Sequence, residues 1–252
     1  TSCTLVSSGT ERMLVNFAKS NLFDKALQQP DKVRQVYDKI GTDGLLPTLK
    51  AVSNKLSNPI PLGYCNVGVV VSVGDNVTGY KVGDRVVSNG PHAELVVVPH
   101  RLCSVIPHTV SDEEAVFTIL ASIGLQGVRL ASPSLGETFV VSGLGLIGLL
   151  TCQLLKANGC KVLGMDPDPR QVAFAQSLGF DALDLSSDIN PVDWCNELNS
   201  GIGIDAVLIT ASTSSSEPVH LAAQVCRQRG RIVLVGVTGL DIRRDLFYHK
   251  EI

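Results

Sequence analysis

Apolar positions change their spacing twice along the 252 residues, and each change marks a different kind of structure. Cys3 to Val6 reads as a strand. Residues 13–58 then follow a helical period. Val33, Val36, Tyr37 and Ile40 fall at i, i+3, i+4 and i+7, with Pro30-Asp31 as a start and Gly41 as a stop. Leu45, Leu49, Val52 and Leu56 form a second stripe, ended by Pro59. From Val67 to Val98 the period falls to two. Val67, Val69, Val71 and Val73 alternate with small or polar residues, Gly74-Asp75-Asn76 marks a turn, and Val96-Val97-Val98 runs up to Pro99. This region is expected to be antiparallel and barrel-like. Ser111-Asp112-Glu113-Glu114 reads as a cap with acids in the first turn, opening an apolar connector helix that runs to about Leu130.

The second half alternates short β-rich runs (Phe139–Ser142, Val162–Met165, Ala206–Ile209, Ile232–Val235) with helical patterns around Leu146–Ala157, Gln171–Leu178 and Pro218–Gln228. Strands joined by crossover helices imply a parallel sheet covered on both faces. Thr138 to Leu155 is uncharged throughout, but Ser142, Thr151 and Gln153 interrupt it. Gly143, Gly145 and Gly148 fit a strand, a tight turn and a buried helix better than a membrane span.

The strongest local chemistry lies in that stretch. Gly143-Leu144-Gly145-Leu146-Ile147-Gly148 follows a strand and opens a helix, and Asp166 stands 18 residues after the last glycine, at the end of the next strand. Such a turn lets a backbone approach a pyrophosphate, whose charge the helix N-terminus attracts. The acid accepts hydrogen bonds from ribose hydroxyls and repels a 2′-phosphate. NAD is therefore favoured over NADP, although Arg170 lies close enough to receive the extra phosphate. A glycine-rich buried turn without a ligand is the competing reading.

Charge and cysteine usage narrow the partners. The formal charge of -3 is too balanced for a nucleic-acid or anionic-membrane surface, so small molecules are expected. Residues 11–58 carry +3 against -6 for the remainder, read either as a solvated helical face or as a basic rim for a phosphorylated or nucleotide-linked substrate. Seven scattered cysteines without a C-x-x-C pair suggest free thiols and a cytoplasmic setting.

Taken together, these residues resemble the medium-chain dehydrogenase/reductase superfamily, the zinc-type alcohol dehydrogenases and their zinc-free relatives. Ser8-Gly9-Thr10-Glu11 is similar to the family's first active-site turn. Gly68 to Gly74 and Gly79 to Val86 are similar to its barrel signature, and the nucleotide motif follows in the expected order. The helical segment at 13–58 and Leu62-Gly63-Tyr64-Cys65-Asn66 resemble a narrower group, the dehydrogenase half of two-part oxidoreductases joined to a glucose-fructose oxidoreductase-like half. The resemblance implies an α/β chain: a partial GroES-like antiparallel β-barrel domain at 1–132 with a helical insertion, then a Rossmann doubly wound parallel-sheet domain at 133–252. Because both ends fall without terminal signals, a fragment of a longer protein is expected.

The departures from the zinc-type pattern carry as much weight. At the three positions where that family holds its catalytic metal stand Ser8, Tyr64 and Thr118, and neutral hydroxyls do not replace thiolate, imidazole or carboxylate. The structural zinc lobe has no counterpart between Val87 and Ala93. No metal is expected, and Cys65 is read as a buried inert thiol rather than a ligand. His92, His100 and His108 are read as surface or capping residues. The candidate catalytic groups are Thr10, at the family's proton-relay position, and Tyr64, a hydroxyl that could act as an acid. Gly143, Gly145, Leu146, Ile147, Gly148, Asp166, Arg170, Thr210, Val235 and Gly236 form the candidate cofactor-binding set. The expected function is a zinc-independent NAD(P)-dependent oxidoreductase moving hydride between nicotinamide and a carbonyl or alcohol. The two-part relatives suggest a sugar or sugar-nucleotide substrate. An NADPH-dependent quinone or enone reductase and a non-catalytic nucleotide-binding scaffold are the alternatives. A linked second oxidoreductase domain and a homo-oligomer belong to the same set of expectations.

Overall fold

The computed structural model describes residues 1–19 and 61–252, together with Val33, Arg34, Val36, Asp38, Gly41, Gly44 and Pro59. It divides into two compact units, Thr1–Phe117 and Thr118–Ile252.

In the first unit, β1 (Cys3–Thr4), β2 (Asn66–Val69), β3 (Arg85–Ser88) and β4 (Cys103–Val105) form an antiparallel sheet in that order. Helix α1 (Ser8–Lys19) leaves the end of β1. Val33 and Val36 are helical as their spacing predicts. Gly41, which the pattern marks as a stop, is helical too, and Tyr37, Ile40 and the stripe from Leu45 to Leu56 lie outside the described residues. The turn at Gly74-Asp75-Asn76 forms, closed by Val77 N donating to Gly74 O at 3.0 Å.

Two strand expectations fail here for a common reason. Alternation through Val73 predicts a longer strand, yet pairing stops one residue past β2. Val70 N donates to Asp84 O and accepts through its carbonyl from Gly83 N, after which Gly83 turns away at φ +94°. Val96-Val97-Val98 forms no regular strand, although its valines have β propensity. The carbonyls just before it, of Ala93 and Glu94, accept from the Thr1 hydroxyl and amino group, and Val97 is 98% exposed. Propensity without a paired neighbour does not make a strand.

The expected connector helix is two helices. Ser111 and Glu114 form a reciprocal capping box at the start of α2 (Asp112–Ala115). Phe117 N then donates to Glu114 O, an i to i−3 closure that tightens the turn before α3 (Thr118–Ala131) begins. Helix α3 groups with the second unit, whereas the sequence pattern assigns it to the first. Its small face explains this: a Cβ on Gly124 would stand 2.6 Å from Thr151 Oγ1, and one on Gly127 2.6 Å from Val235 Cγ2.

The second unit holds a five-stranded sheet with all neighbours parallel. The strands are β5 (Thr138–Ser142), β6 (Lys161–Asp166), β7 (Asp181–Asp184), β8 (Ile204–Ile209) and β9 (Cys226–Leu234), in the spatial order β7-β6-β5-β8-β9. Helices α4 (Leu146–Ala157), α5 (Pro169–Ser177), α6 (Pro191–Leu198) and α7 (Glu217–Val225) connect them, and α8 (Arg244–Tyr248) follows β9. Successive strand residues point to opposite faces. Phe139, Val141, Ala206 and Leu208 therefore join one core with α3, α4 and α5, while Val140, Leu163, Met165, Val207 and Ile209 join the other with α6 and α7. The chain winds outward from β5 to β7, then crosses to β8 on the other side of β5. Open sheets of this kind leave a crevice at the carboxyl ends of the two strands where the order reverses, here Ser142 and Ile209.

Candidate functional site

The carboxyl end of β5 passes directly into the glycine turn. Gly143 adopts φ +100°, and a Cβ there would meet Ala211 N at 2.6 Å. Thr210 closes the other side, its hydroxyl donating to Gly143 O at 2.6 Å. Gly148 packs so tightly beneath the turn that a Cβ would fall 1.9 Å from Gly143 O. Leu144 is wholly buried in the core. Gly145 differs from its neighbours: it is exposed, and a Cβ on it would meet nothing within 4 Å. It is also the N-cap of α4 with no side chain capping the helix, so Leu146 and Ile147 present first-turn N–H groups at an accessible surface. A pyrophosphate fits such an end.

Asp166 lies at the end of β6, where its buried carboxylate accepts from Leu144 N at 2.7 Å and from Asp168 N at 2.8 Å. An ionised carboxylate has about four acceptor positions, so two backbone bonds leave capacity for ribose hydroxyls. Arg170 is folded onto Asp168, with Nε at 3.0 Å from Oδ1 and a terminal nitrogen at 2.7 Å from Oδ2. That contact holds the Asp168 carboxyl below its ordinary range and raises the guanidinium. Val235 and Gly236 both donate their N–H to Ile209 O, and a Cβ on Gly236 would stand 2.0 Å from Ala211 O. Thr210, Val235 and Gly236 thus brace the ends of β8 and β9 beside the glycine turn.

The first unit brings the two candidate hydroxyls together. Tyr64 Oη donates toward Thr10 Oγ1 at 3.4 Å. That is longer than an ordinary O–H···O bond of about 2.8 Å, so the pair is juxtaposed rather than locked. The sequence pattern misses what stands beside it. Glu11 is buried and accepts from Ser7 N at 2.8 Å, while His92 Nε2 lies 3.2 and 3.1 Å from its two carboxylate oxygens. His92 is therefore part of a partly buried hydrogen-bonding contact with a carboxylate rather than a surface or capping residue; His100 and His108 are exposed as expected. The missed partners are 81 residues apart, and one sequence contains no signal joining them. An apolar concavity of about 430 Å³ elsewhere in this unit, flanked by Val69–Val73 and Val96–Val98, includes none of these four residues.

The same geometry bears on zinc. Ser8 opens α1, Tyr64 faces Thr10 and Thr118 opens α3, all with neutral hydroxyls. Among the described residues no three His, Cys, Asp or Glu side chains gather to hold a metal ion. Cys65 is fully buried. These donors do not suit zinc.

Residues 147–250 match the family model described as zinc-binding dehydrogenase, and residues 40–108 match the alcohol dehydrogenase GroES-like domain. A protein named probable D-xylulose reductase A from Neosartorya fischeri is 28% identical, over 74% of this chain and 62% of the relative. Among solved structures, the 2R,3R-butanediol dehydrogenase of Bacillus subtilis is 26% identical, with a TM-score of 0.68 over 79% of this chain and 65% of that one. A quinone oxidoreductase of Pseudomonas syringae is also 26% identical, with a TM-score of 0.62 over 77% of this chain and 63% of that one. The chain thus spans just under two thirds of the length of these relatives. Both matching models and these relatives point one way: the chain is similar, over most of its length, to the zinc-binding and alcohol dehydrogenases that the two models describe.

Proposed function

We propose that the chain is an NAD-preferring, zinc-independent oxidoreductase acting on a carbonyl or alcohol of the sugar or polyol class. The observation that carries this reading is the Asp166 carboxylate, fixed by Leu144 N and Asp168 N beside an uncapped helix end and an unobstructed Gly145. Gly145, Leu146 and Ile147 would receive the pyrophosphate, Asp166 the adenosine ribose. Asp166 would repel a 2′-phosphate, and Arg170, neutralised by Asp168, offers it less. Thr210, Val235 and Gly236 would shape the wall next to the turn. When bound, nicotinamide supplies the hydride-transfer chemistry. Thr10 and Tyr64 would hydrogen-bond the substrate oxygen, holding or delivering its proton.

The zinc-independent part rests on the neutral donors Ser8, Tyr64 and Thr118, and the sugar or polyol class draws on the relatives named for xylulose and butanediol. A linked second oxidoreductase domain and a cytoplasmic setting remain parts of the same proposal, and the intact mass of the native protein checks the first.

The test is a parallel titration with NADH and NADPH, followed by Trp194 quenching. We expect NADH to bind at least about tenfold tighter, roughly 1.4 kcal/mol. Turnover is then assayed with D-xylulose and NADH, 2,3-butanediol and NAD, and a benzoquinone and NADPH, each before and after chelation of metals. Chelator-sensitive turnover with bound zinc would remove the zinc-independent part. The likeness to a quinone oxidoreductase supports a second reading, reductase chemistry with NADPH; tighter NADPH binding and reduction of the quinone alone would select it. Nucleotide binding without turnover of any panel member would favour a non-catalytic scaffold.

A further inference from the structure

We infer that Glu11 and His92 form a positioning pair that sets the distance between the Thr10 and Tyr64 hydroxyls. The oxidoreductase reading enters only through what those hydroxyls would act on.

Thr10 and Glu11 are adjacent in the first turn of α1, so whatever fixes the Glu11 carboxylate fixes the Thr10 backbone. The carboxylate is tied back to its own helix start by Ser7 N and outward to His92 Nε2. His92 in turn grips the segment that carries Tyr64 at two points. Its backbone N–H donates to Leu62 O at 2.8 Å, and its ring fills the Cβ side of Gly63, where an added Cβ would lie 2.6 Å from the ring. Gly63 sits at φ +88°, a conformation glycine adopts without steric cost. One imidazole therefore joins the element bearing Thr10 to the residue preceding Tyr64.

The same contacts choose a tautomer. Nε2 faces two carboxylate oxygens and needs a proton to bond either. Nδ1 is buried without a hydrogen-bond partner among the described residues, where an N–H would be left unsatisfied. The neutral ring is thus protonated at Nε2, with a bare lone pair at Nδ1.

Two spectroscopic measurements test the pair without any cofactor or substrate. With ¹⁵N-labelled histidine, His92 should show a protonated Nε2 and an unprotonated Nδ1; the opposite tautomer overturns the inference. With ¹³Cζ-labelled tyrosine, the Tyr64 resonance is identified by its loss in Tyr64→Phe. That resonance should move in His92→Ala and move less in His92→Gln, which keeps a donor for Glu11; no movement in His92→Ala overturns the inference. Should His92→Ala fail to fold, Glu11→Ala removes the acceptor for His92 Nε2 instead, and an unmoved Tyr64 resonance in that variant overturns the inference equally. With whichever panel substrate turns over, His92→Ala should lower kcat by about 10²-fold, as a misplacement of roughly 1 Å can, with the NADH KM unchanged. In the Tyr64→Phe background the same change should cost less than about threefold, because the group it positions is gone. Equal losses in both backgrounds overturn the inference. If no panel member turns over, the functional reading has failed on its own, and the two resonances still decide the pair.

Discussion

A methyl group added to Gly148 would stand 1.9 Å from Gly143 O, whereas one added to Gly145 would touch nothing within 4 Å. The two glycines of one motif therefore separate packing from ligand approach. Gly148→Ala must push the turn away from α4, and we expect a loss of about 1–3 kcal/mol, the range for overpacking a tight core, measured by urea unfolding. Gly145→Ala needs no shift of the protein and should cost less than about 1 kcal/mol, the range for an altered N-cap. Its NADH affinity should nonetheless fall by about tenfold or more, some 1.4 kcal/mol, because the methyl stands where a pyrophosphate would approach. A Gly145→Ala protein that binds NADH normally would remove the phosphate role of this turn. Thiols give a second residue-level contrast. Burial pushes the Cys152, Cys195 and Cys226 thiols up to about 12, so almost no thiolate forms at a pH of about 8. Iodoacetamide mapping of the folded chain should find these three protected while Cys3 and Cys103, both partly exposed, are labelled first.

Elements of the second unit are joined by one guanidinium. Arg231 on β9 donates to Ala131 O at 2.8 Å and Ser132 O at 3.0 Å, closing the carboxyl end of α3, and also pairs with Glu137 just before β5. A cation at a helix C-terminus satisfies carbonyls that have no other partner. Arg231→Ala should destabilise by about 2–3 kcal/mol, as loss of hydrogen bonds to a charged group does. Arg231→Lys should recover little, because one ammonium cannot reproduce the planar fork; full recovery would show that charge alone suffices. The strands of this sheet are legible in the sequence because burial on both faces makes near-continuous apolar runs, as in Phe139–Val141 and Ala206–Ile209. Helix α4 is legible to the residue. Edge strand β7 escapes the pattern because Asp-Ala-Leu-Asp offers only two buried side chains. Helix α6 escapes it although Asn190 accepts from Val192 N and Pro191 occupies the first turn, a start signal too short to outweigh a polar segment. In the first unit the pattern misleads at Val71–Val73 and Val96–Val98, since alternation records propensity and says nothing about whether a partner strand is there to pair with.

At the scale of the whole molecule, the candidate nucleotide site of the second unit is legible because strand, turn, helix and acid are contiguous in sequence. The hydroxyl pair of the first unit is legible only through family likeness, and the Glu11–His92 contact not at all. A similar long-range tie contributes to the expected response of the first unit to acid. The Asp112 carboxylate accepts from Ser2 Oγ at 2.5 Å and from Arg85 at 3.1 and 2.5 Å, joining the chain start, β3 and α2. Those contacts, the Ser2 bond foremost and then Arg85, hold its pKa below the ordinary value. The folded chain thus binds fewer protons than the unfolded chain between the two pKa values. Its contribution is complete above the unfolded aspartate value of about 3.9 and is lost as pH falls through the lower folded value. Asp168 and Asp245 are held low by Arg170 and Arg243 and act with the same sign, but those pairs are open to solvent and weaken in salt. Urea midpoints measured in moderate salt should therefore stay level from neutral pH to about 5 and fall below about 4. Asp112→Asn should lower the midpoint at neutral pH and flatten the acid decline; a variant that keeps the parent's slope would place the acid-sensitive group elsewhere in the fold.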